Sequence, residues 1–326
     1  MNSFGRIYRV SIFGESHGEN VGVVIDGCPA GISLNVDHFS TDLERRKPGA
    51  KGTTPRKEDD IPEIVSGVFN DKTTGAPITI LFKNSNIRSG DYEKQKAIPR
   101  PGHADFVASK KFNGFQDYRG GGHFSGRLTV ALVAAGVVAK KILGNIKVEA
   151  LILEIGGETD LDKGLQKAID AKDSIGGIIE CRVRDLPIGL GEPFFDSAES
   201  LISHAVFSIP AVRAIEFGSG FAAAQMFGSK HNDAIKNKEG KTLTNHASGM
   251  VGGITNGNEL VFRIAIKPTS STPQVQQTLN IETGQVEDFS VKGRHDLCIA
   301  LRVPVVLEAA TAIVLADLLL LANNKL

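Results

Sequence analysis

The chain has 326 residues, 41% hydrophobic and 23% charged, so it holds enough apolar material for a sizeable core and suits one large domain or two ordinary ones. Lys plus Arg and Asp plus Glu both number 37, a formal net charge of zero, which argues against a nucleic-acid or membrane-surface binder and leaves local basic clusters to serve local anions. The three cysteines, Cys28, Cys181 and Cys298, are widely spaced and odd in number, which points away from a disulfide framework or structural zinc and toward a reducing cytoplasm.

Residues 1–10 carry Arg6 and Arg9 and lack the apolar stretch of a signal peptide. Two short β-rich runs, 6–13 and 21–25, flank the polar turn Gly-Glu-Ser-His-Gly at 14–18, which predicts an antiparallel hairpin with His17 at its tip. Val36, Phe39 and Leu43 share one helical face, so a helix is expected over 36–46, ended by Lys-Pro-Gly at 47–49. A basic loop follows at 51–57, then strands at 63–69 and 77–82. Glycines at 120–122 lead into an apolar helix that opens at about Ser125 and runs to 143. Strands are expected at 147–155, 177–184, 211–217 and 259–266, and helices at 162–171, 197–207, 221–227 and 305–321. The polar tract 229–246 has no periodicity and reads as a mobile excursion. The apolar stretch 299–322 contains Arg302, Pro304, Glu308 and Asp317, which marks a buried helix rather than a membrane span. No fixed-period repeat or low-complexity linker interrupts the chain, so the reading is one integrated α+β domain over 1–326.

Several familiar signatures fail on inspection. Gly240-Lys241-Thr242 looks like the end of a P-loop, but the position that needs the first glycine is Ile235. Gly-Ser-Gly-Phe-Ala-Ala at 218–223 fits a dinucleotide fingerprint without the second strand of a βαβ unit. His17 and Glu19 have the spacing of a zinc deaminase without its cysteine pair, and no metal site is supported.

What remains is a set of separated loops rich in Gly, Ser, Thr, Arg and His. They comprise the tip with His17, the basic segment 45–47, Arg-Pro-Gly-His-Ala-Asp at 100–105, Arg119 to Arg127, Lys267 to Thr272, and Arg-His-Asp at 294–296. Glycine lets backbone approach a ligand closely, hydroxyls donate to phosphate oxygens, arginine supplies forked donors, and histidine titrates near neutral pH. A neutral protein with such loops is suited to a multiply anionic small molecule.

Five of these motifs, in this order, resemble the chorismate synthase family from about residue 6 to 320. They are Gly-Glu-Ser-His-Gly at 14–18 with Asp26, Gly27 and Pro29; 100–105; Asp-Tyr-Arg-Gly-Gly-Gly at 117–122; Lys-Pro-Thr-Ser-Ser at 267–271; and Gly-Arg-His-Asp at 293–296. The resemblance implies a β-α-β sandwich with helices between antiparallel sheets. It also implies a homotetramer and a lyase that converts 5-enolpyruvylshikimate 3-phosphate to chorismate with reduced FMN and no net redox change. Carried over by position, His17, His103 and Asp296 would be catalytic, and Arg46, Lys51, Arg100, Arg127 and Arg294 would bind substrate. The flavin would be held by His123, Phe124, Ser125, Ala211, Gly253, Lys267, Pro268, Thr269, Ser270, Ser271 and Arg294. The electrons would come from an external flavin reductase or an NADPH-dependent reductant. Two departures stand out. His-Phe-Ser-Gly-Arg at 123–127 replaces the family's Arg-Ser-Ser-Ala-Arg, and Lys51 is the nearest match to a second basic-loop arginine. A flavin oxidoreductase that leaves electrons in its product, or a non-catalytic anion-binding relative, are the rival classes.

Overall fold

Period-two alternation decides which way the long strands face. The computed structural model describes residues 2–49, 51–54, 59–85, 96–291 and 295–323. In the first sheet, β1 (Ser3–Phe4), β2 (Arg9–Gly14), β3 (Asn20–Asp26), β4 (Glu63–Ser66) and β7 (Ile78–Lys83) line up in the order β1-β2-β3-β7-β4. The ribbon of β5 (Val68–Phe69) and β6 (Lys72–Thr73) lies apart from it. The second sheet holds β8 (Lys147–Ile155), β9 (Gly177–Arg184), β10 (Val212–Phe217) and β13 (Leu260–Ile266) in the order β10-β13-β9-β8. All pairings in both sheets are antiparallel. Ile78, Ile80 and Phe82 turn inward from the first sheet, and Leu260, Phe262, Ile264 and Ile266 from the second.

Two helices fill the space between. α1 (Ser40–Arg46) and α2 (Asp105–Lys111) are short, whereas α3 (Thr129–Leu143) packs on β3 and β7. α4 (Leu161–Ala171), α5 (Ala198–Val206) and the single turn α6 (Gly228–His231) precede α7 (Pro304–Asn323), which lies on β8 and β9. α3 and α7 pack against each other, so the layers run sheet, helix, helix, sheet. Both helices are apolar nearly all round because both are covered on every side. They approach closely at Gly136, where an added Cβ would overlap Ala309. α7 is long and apolar enough to cross a membrane, yet most of it is buried between α3 and the second sheet.

The polar residues of α7 seen in the sequence tie these layers together. Asp317 accepts backbone N–H groups from Arg6, Ile7 and Tyr8, which anchors the entry to the first sheet. Glu308 accepts from Arg45, Lys140 and the backbone of Ala150. All three cysteines are buried thiols, and burial pushes Cys181 up to about 12.

The expected sandwich of antiparallel sheets around helices is therefore the observed one. Several details differ from the expectation, among them the run 63–69, which divides into β4 in the first sheet and β5 outside it. The helix over 36–46 begins as a 3-10 turn, Val36–Phe39, before α1. The segment 221–227 is mostly a 3-10 turn, Gly220–Gln225. The tract 229–246 is folded back rather than loose: Asp233 accepts from Thr244 Oγ1 and from the N–H groups of His246 and Ala247, and Ile235 bridges to Thr242. The small ribbons β11 (Met250–Val251) with β12 (Ile254–Thr255) and β14 (Gln276–Leu279) with β15 (Val286–Phe289) complete the strands among the described residues.

Candidate active site

The turn between β2 and β3 and the loop before α3 close on each other. Gly120, Gly121 and Gly122 all have positive φ, at 59°, 83° and 53°, so side chains there would be strained as well as crowded. Ser16 N donates to Gly122 O at 3.1 Å, and His123 Nδ1 lies 2.8 Å from Gly14 O. A Cβ on Gly120 would overlap the His17 ring, while one on Gly121 would stand 3.1 Å from His103 Cε1. Two successive glycines thus wedge between two histidines that are 86 residues apart in sequence. Ser125 caps the 3-10 turn Gly126–Leu128 that leads into α3, so the helix proper starts four residues after the expected opening.

This wedge forms one wall of a cavity of about 730 Å³. Arg46, Arg100, Arg127, His103 and Asp296 line it, as do His123, Phe124, Ser125, Ala211, Lys267, Thr269, Ser270 and Ser271. The His17 ring is buried behind Gly120, which itself faces the cavity. Leu132, Ile209, Val212, Ile299 and Val303 add an apolar section. Such a mix of apolar lining and few convergent polar groups is typical of ligand sites of this size.

The cations are held by carboxylates, of which Asp105 and Asp296 lie in sequence motifs and Asp60 does not. Asp60 pairs with both Arg46 and Arg127, and all three side chains are nearly inaccessible. Burial alone would push the Asp60 carboxyl up, but Arg46 and Arg127 more than offset this and hold it below its ordinary range. Burial pulls Arg46 down to about 10, against the pull of Asp60, so it stays charged at neutral pH. Arg127 also donates to Asn84 Oδ1 at 2.8 Å and Lys83 O at 3.2 Å. Arg100 donates through Nε and Nη2 to Asp105, at 2.7 and 2.8 Å, and through Nη1 to Ser271 Oγ at 3.2 Å. Asp296 accepts from Thr54 N at 2.8 Å and from Arg302 Nη1 at 3.2 Å, and Arg302 Nε donates to Arg46 O. Asp60 and Arg302 stand in no motif; only the tertiary fold reveals them.

The 267–271 loop is built on strained backbone. Ala211 sits at φ 74°, costly for a residue with a Cβ, and its carbonyl accepts Lys267 N–H at 2.9 Å. Lys267 Nζ donates to Ser270 Oγ at 2.8 Å, and Ser270 Oγ donates to Gly102 O at 2.7 Å, which joins this loop to the 100–105 turn. Burial and then Arg213 hold the Lys267 ammonium below its ordinary range. Pro268 lies beside this lining, near Gly176.

Two sequence-predicted residues stand away from the cavity, and a third falls outside the described residues. Lys51 reaches Gln166 on α4, at 3.3 Å, and does not line the cavity. Gly253 sits in the β11–β12 turn, against Glu192 and Ser197. Arg294 lies outside the described residues.

A sandwich of this kind, with converging arginines and His103 lining one cavity and His17 behind its glycine wall, is suited to an enzyme acting on a small-molecule substrate. The chain belongs to the chorismate synthase family, whose model matches residues 8–320. A protein of Chitinophaga pinensis named chorismate synthase is 71% identical over 326 residues, covering 100% of this chain and 98% of its own. One from Dehalococcoides mccartyi with the same name is 45% identical, with 99% and 97% covered. A crystal structure of chorismate synthase superposes with a TM-score of 0.75 at 27% identity, covering 98% of this chain and 93% of that one. The chain is accordingly a carbon–oxygen lyase of the shikimate pathway, on the route to aromatic amino acids, that eliminates phosphate from 5-enolpyruvylshikimate 3-phosphate to form chorismate.

Proposed function

We propose that the 730 Å³ cavity is where this elimination takes place and that substrate and reduced FMN share it. The observation that carries the reading is the glycine wedge, which brings His17 and His103 to one wall of a cavity lined by arginines. The substrate has one phosphate and two carboxylates. Arg46, Arg100 and Arg127 supply forked donors for them, and Arg294 is assigned to the same task from its motif. His17 serves as the acid that assists the leaving phosphate: an anion beside a histidine favours its protonated form. His103 faces the ring of the substrate and the flavin, and Asp296 provides the carboxylate near the reacting carbon.

The residues present fit FMN. The apolar section can take a flat ring, and Lys267, Ser270 and Ser271 offer donors to its polar edge or phosphate. His123, Phe124, Ser125, Ala211, Pro268 and Thr269 complete the flavin set. Gly253 and Lys51 stand away from the cavity of a single chain, so their assigned contacts would need another subunit or another arrangement. When bound, reduced FMN supplies a transient electron that eases phosphate loss, with none retained by the product. The chain's own groups bind the anions, exclude water and position the protons. An external flavin reductase or an NADPH-dependent reductant keeps the flavin reduced. We read the chain as one domain acting in the cytoplasm as a homotetramer, without nucleic-acid or membrane partners. Phe194, Phe195, Phe221 and Phe227 are largely exposed, and apolar surface of that kind is what assembly would cover.

Flavin placement has a direct test. Lys267→Ala should weaken FMN binding on the order of tenfold or more, read by quenching of flavin fluorescence in a titration. Unchanged affinity would place the flavin away from the 267–271 loop.

A further inference from the structure

We propose that Asp105 is a positioning residue for His103, selecting the tautomer that leaves Nε2 as the ring's only basic atom. This rests on the reading of His103 as a group of the reaction. Asp105 Oδ1 lies 2.6 Å from His103 Nδ1. Two lone pairs at that distance would repel, so the proton sits on Nδ1 and is donated to the carboxylate. Arg100 Nη2 is 3.0 Å from Nδ1 and 3.3 Å from Nε2 of the same ring. One atom can be that near both nitrogens only above the ring plane, since in the plane it would collide with Cε1. Nη2 therefore lies over the imidazole face, and it donates an N–H to Asp105 Oδ1 at 2.8 Å.

Asp105 is well placed to hold this arrangement. Its other oxygen accepts the Arg100 N–H at 3.1 Å and Nε at 2.7 Å. It begins α2, where a carboxylate is favoured by the unpaired N–H groups of the first turn. Gly121 meets the Cε1–Nε2 edge of the His103 ring on the Arg100 side: a Cβ there would lie 3.1 Å from Cε1, 3.3 Å from Nε2 and 3.5 Å from Arg100 Nη2, so only glycine leaves this edge uncrowded. A carboxylate behind Nδ1, with Nε2 as the ring's remaining acceptor, is the arrangement by which a buried aspartate orients a working histidine.

The test uses full-length protein labelled with 15N-histidine, with His103→Gln to assign the resonance, recorded without flavin or substrate. Wild type should show a pyrrole-type Nδ1 and a pyridine-type Nε2. Asp105→Asn should lose that pattern, moving to the Nε2–H form or an exchanging mixture while the remaining histidine signals stay in place. Its kcat should fall on the order of a hundredfold, with a smaller change in KM. An Nε2–H tautomer in wild type, or an unchanged Nδ1–H tautomer in Asp105→Asn, would overturn the inference. If the variant does not fold, the wild-type spectrum alone decides. Because the spectra need neither flavin nor substrate, their outcome is separate from that of the reading of the cavity.

Discussion

His17→Ala and His103→Ala should each fold normally and lower kcat on the order of 10²–10⁴-fold, the range that positioned acid–base groups contribute. The reasoning is geometric. Both rings press on the same glycine loop, yet neither provides that loop's backbone hydrogen bond, which runs from Ser16 N to Gly122 O. Removing either ring therefore takes away a proton-bearing group while the turn and the loop remain joined. His17 is the more buried, so its loss leaves the larger void; near-UV circular dichroism and thermal melts separate that packing cost from lost chemistry. Wild-type turnover in both purified variants, assayed anaerobically with reduced FMN, would refute their roles.

Asp60→Ala should destabilise the protein by about 3–5 kcal/mol, because it strands two buried guanidinium groups with no shared counter-charge. Equilibrium unfolding in urea measures this, and a loss below about 0.5 kcal/mol would show that water or other groups already satisfy the arginines. The pH dependence has a fixed sign. Asp60 is held below its ordinary range in the folded protein, so its stabilisation is present above the unfolded value of about 4 and fades as the pH falls through the lower folded value. The gap between wild type and variant should accordingly be full at neutral pH and close in acid below about pH 4. Two arginines with one carboxylate also leave one net positive charge facing the cavity, which suits a bound anion.

Much of the fold could be read from local pattern. Strands β8 and β9 match their predicted limits because apolar residues recur on one face and glycine or a polar turn stops each run. α3 is legible as a largely apolar stretch behind a serine cap, although it opens four residues later than expected. α2 was not, since its seven residues are mostly exposed and make no apolar stripe. The folding of 229–246 depends on Asp233 meeting residues 11 to 14 positions onward, which no periodicity records. The site divides in the same way. Its motif residues were visible, but the carboxylates that fix them were only partly so. Asp105 lies inside a motif, whereas Asp60 meets Arg127 across 67 positions and Arg46 across 14. Nor could sequence show that Lys51 turns to α4, or that Gly120 stands between His17 and the cavity.

The central claim is that this cavity eliminates phosphate using reduced flavin without consuming its electrons. Purified protein should be mixed anaerobically with 5-enolpyruvylshikimate 3-phosphate and photoreduced FMN, while chorismate and flavin absorbance are followed together. The account predicts many turnovers to chorismate with the reduced-flavin spectrum the same before and after. Flavin oxidised in step with product, or folded protein that forms no chorismate under these conditions, would contradict it.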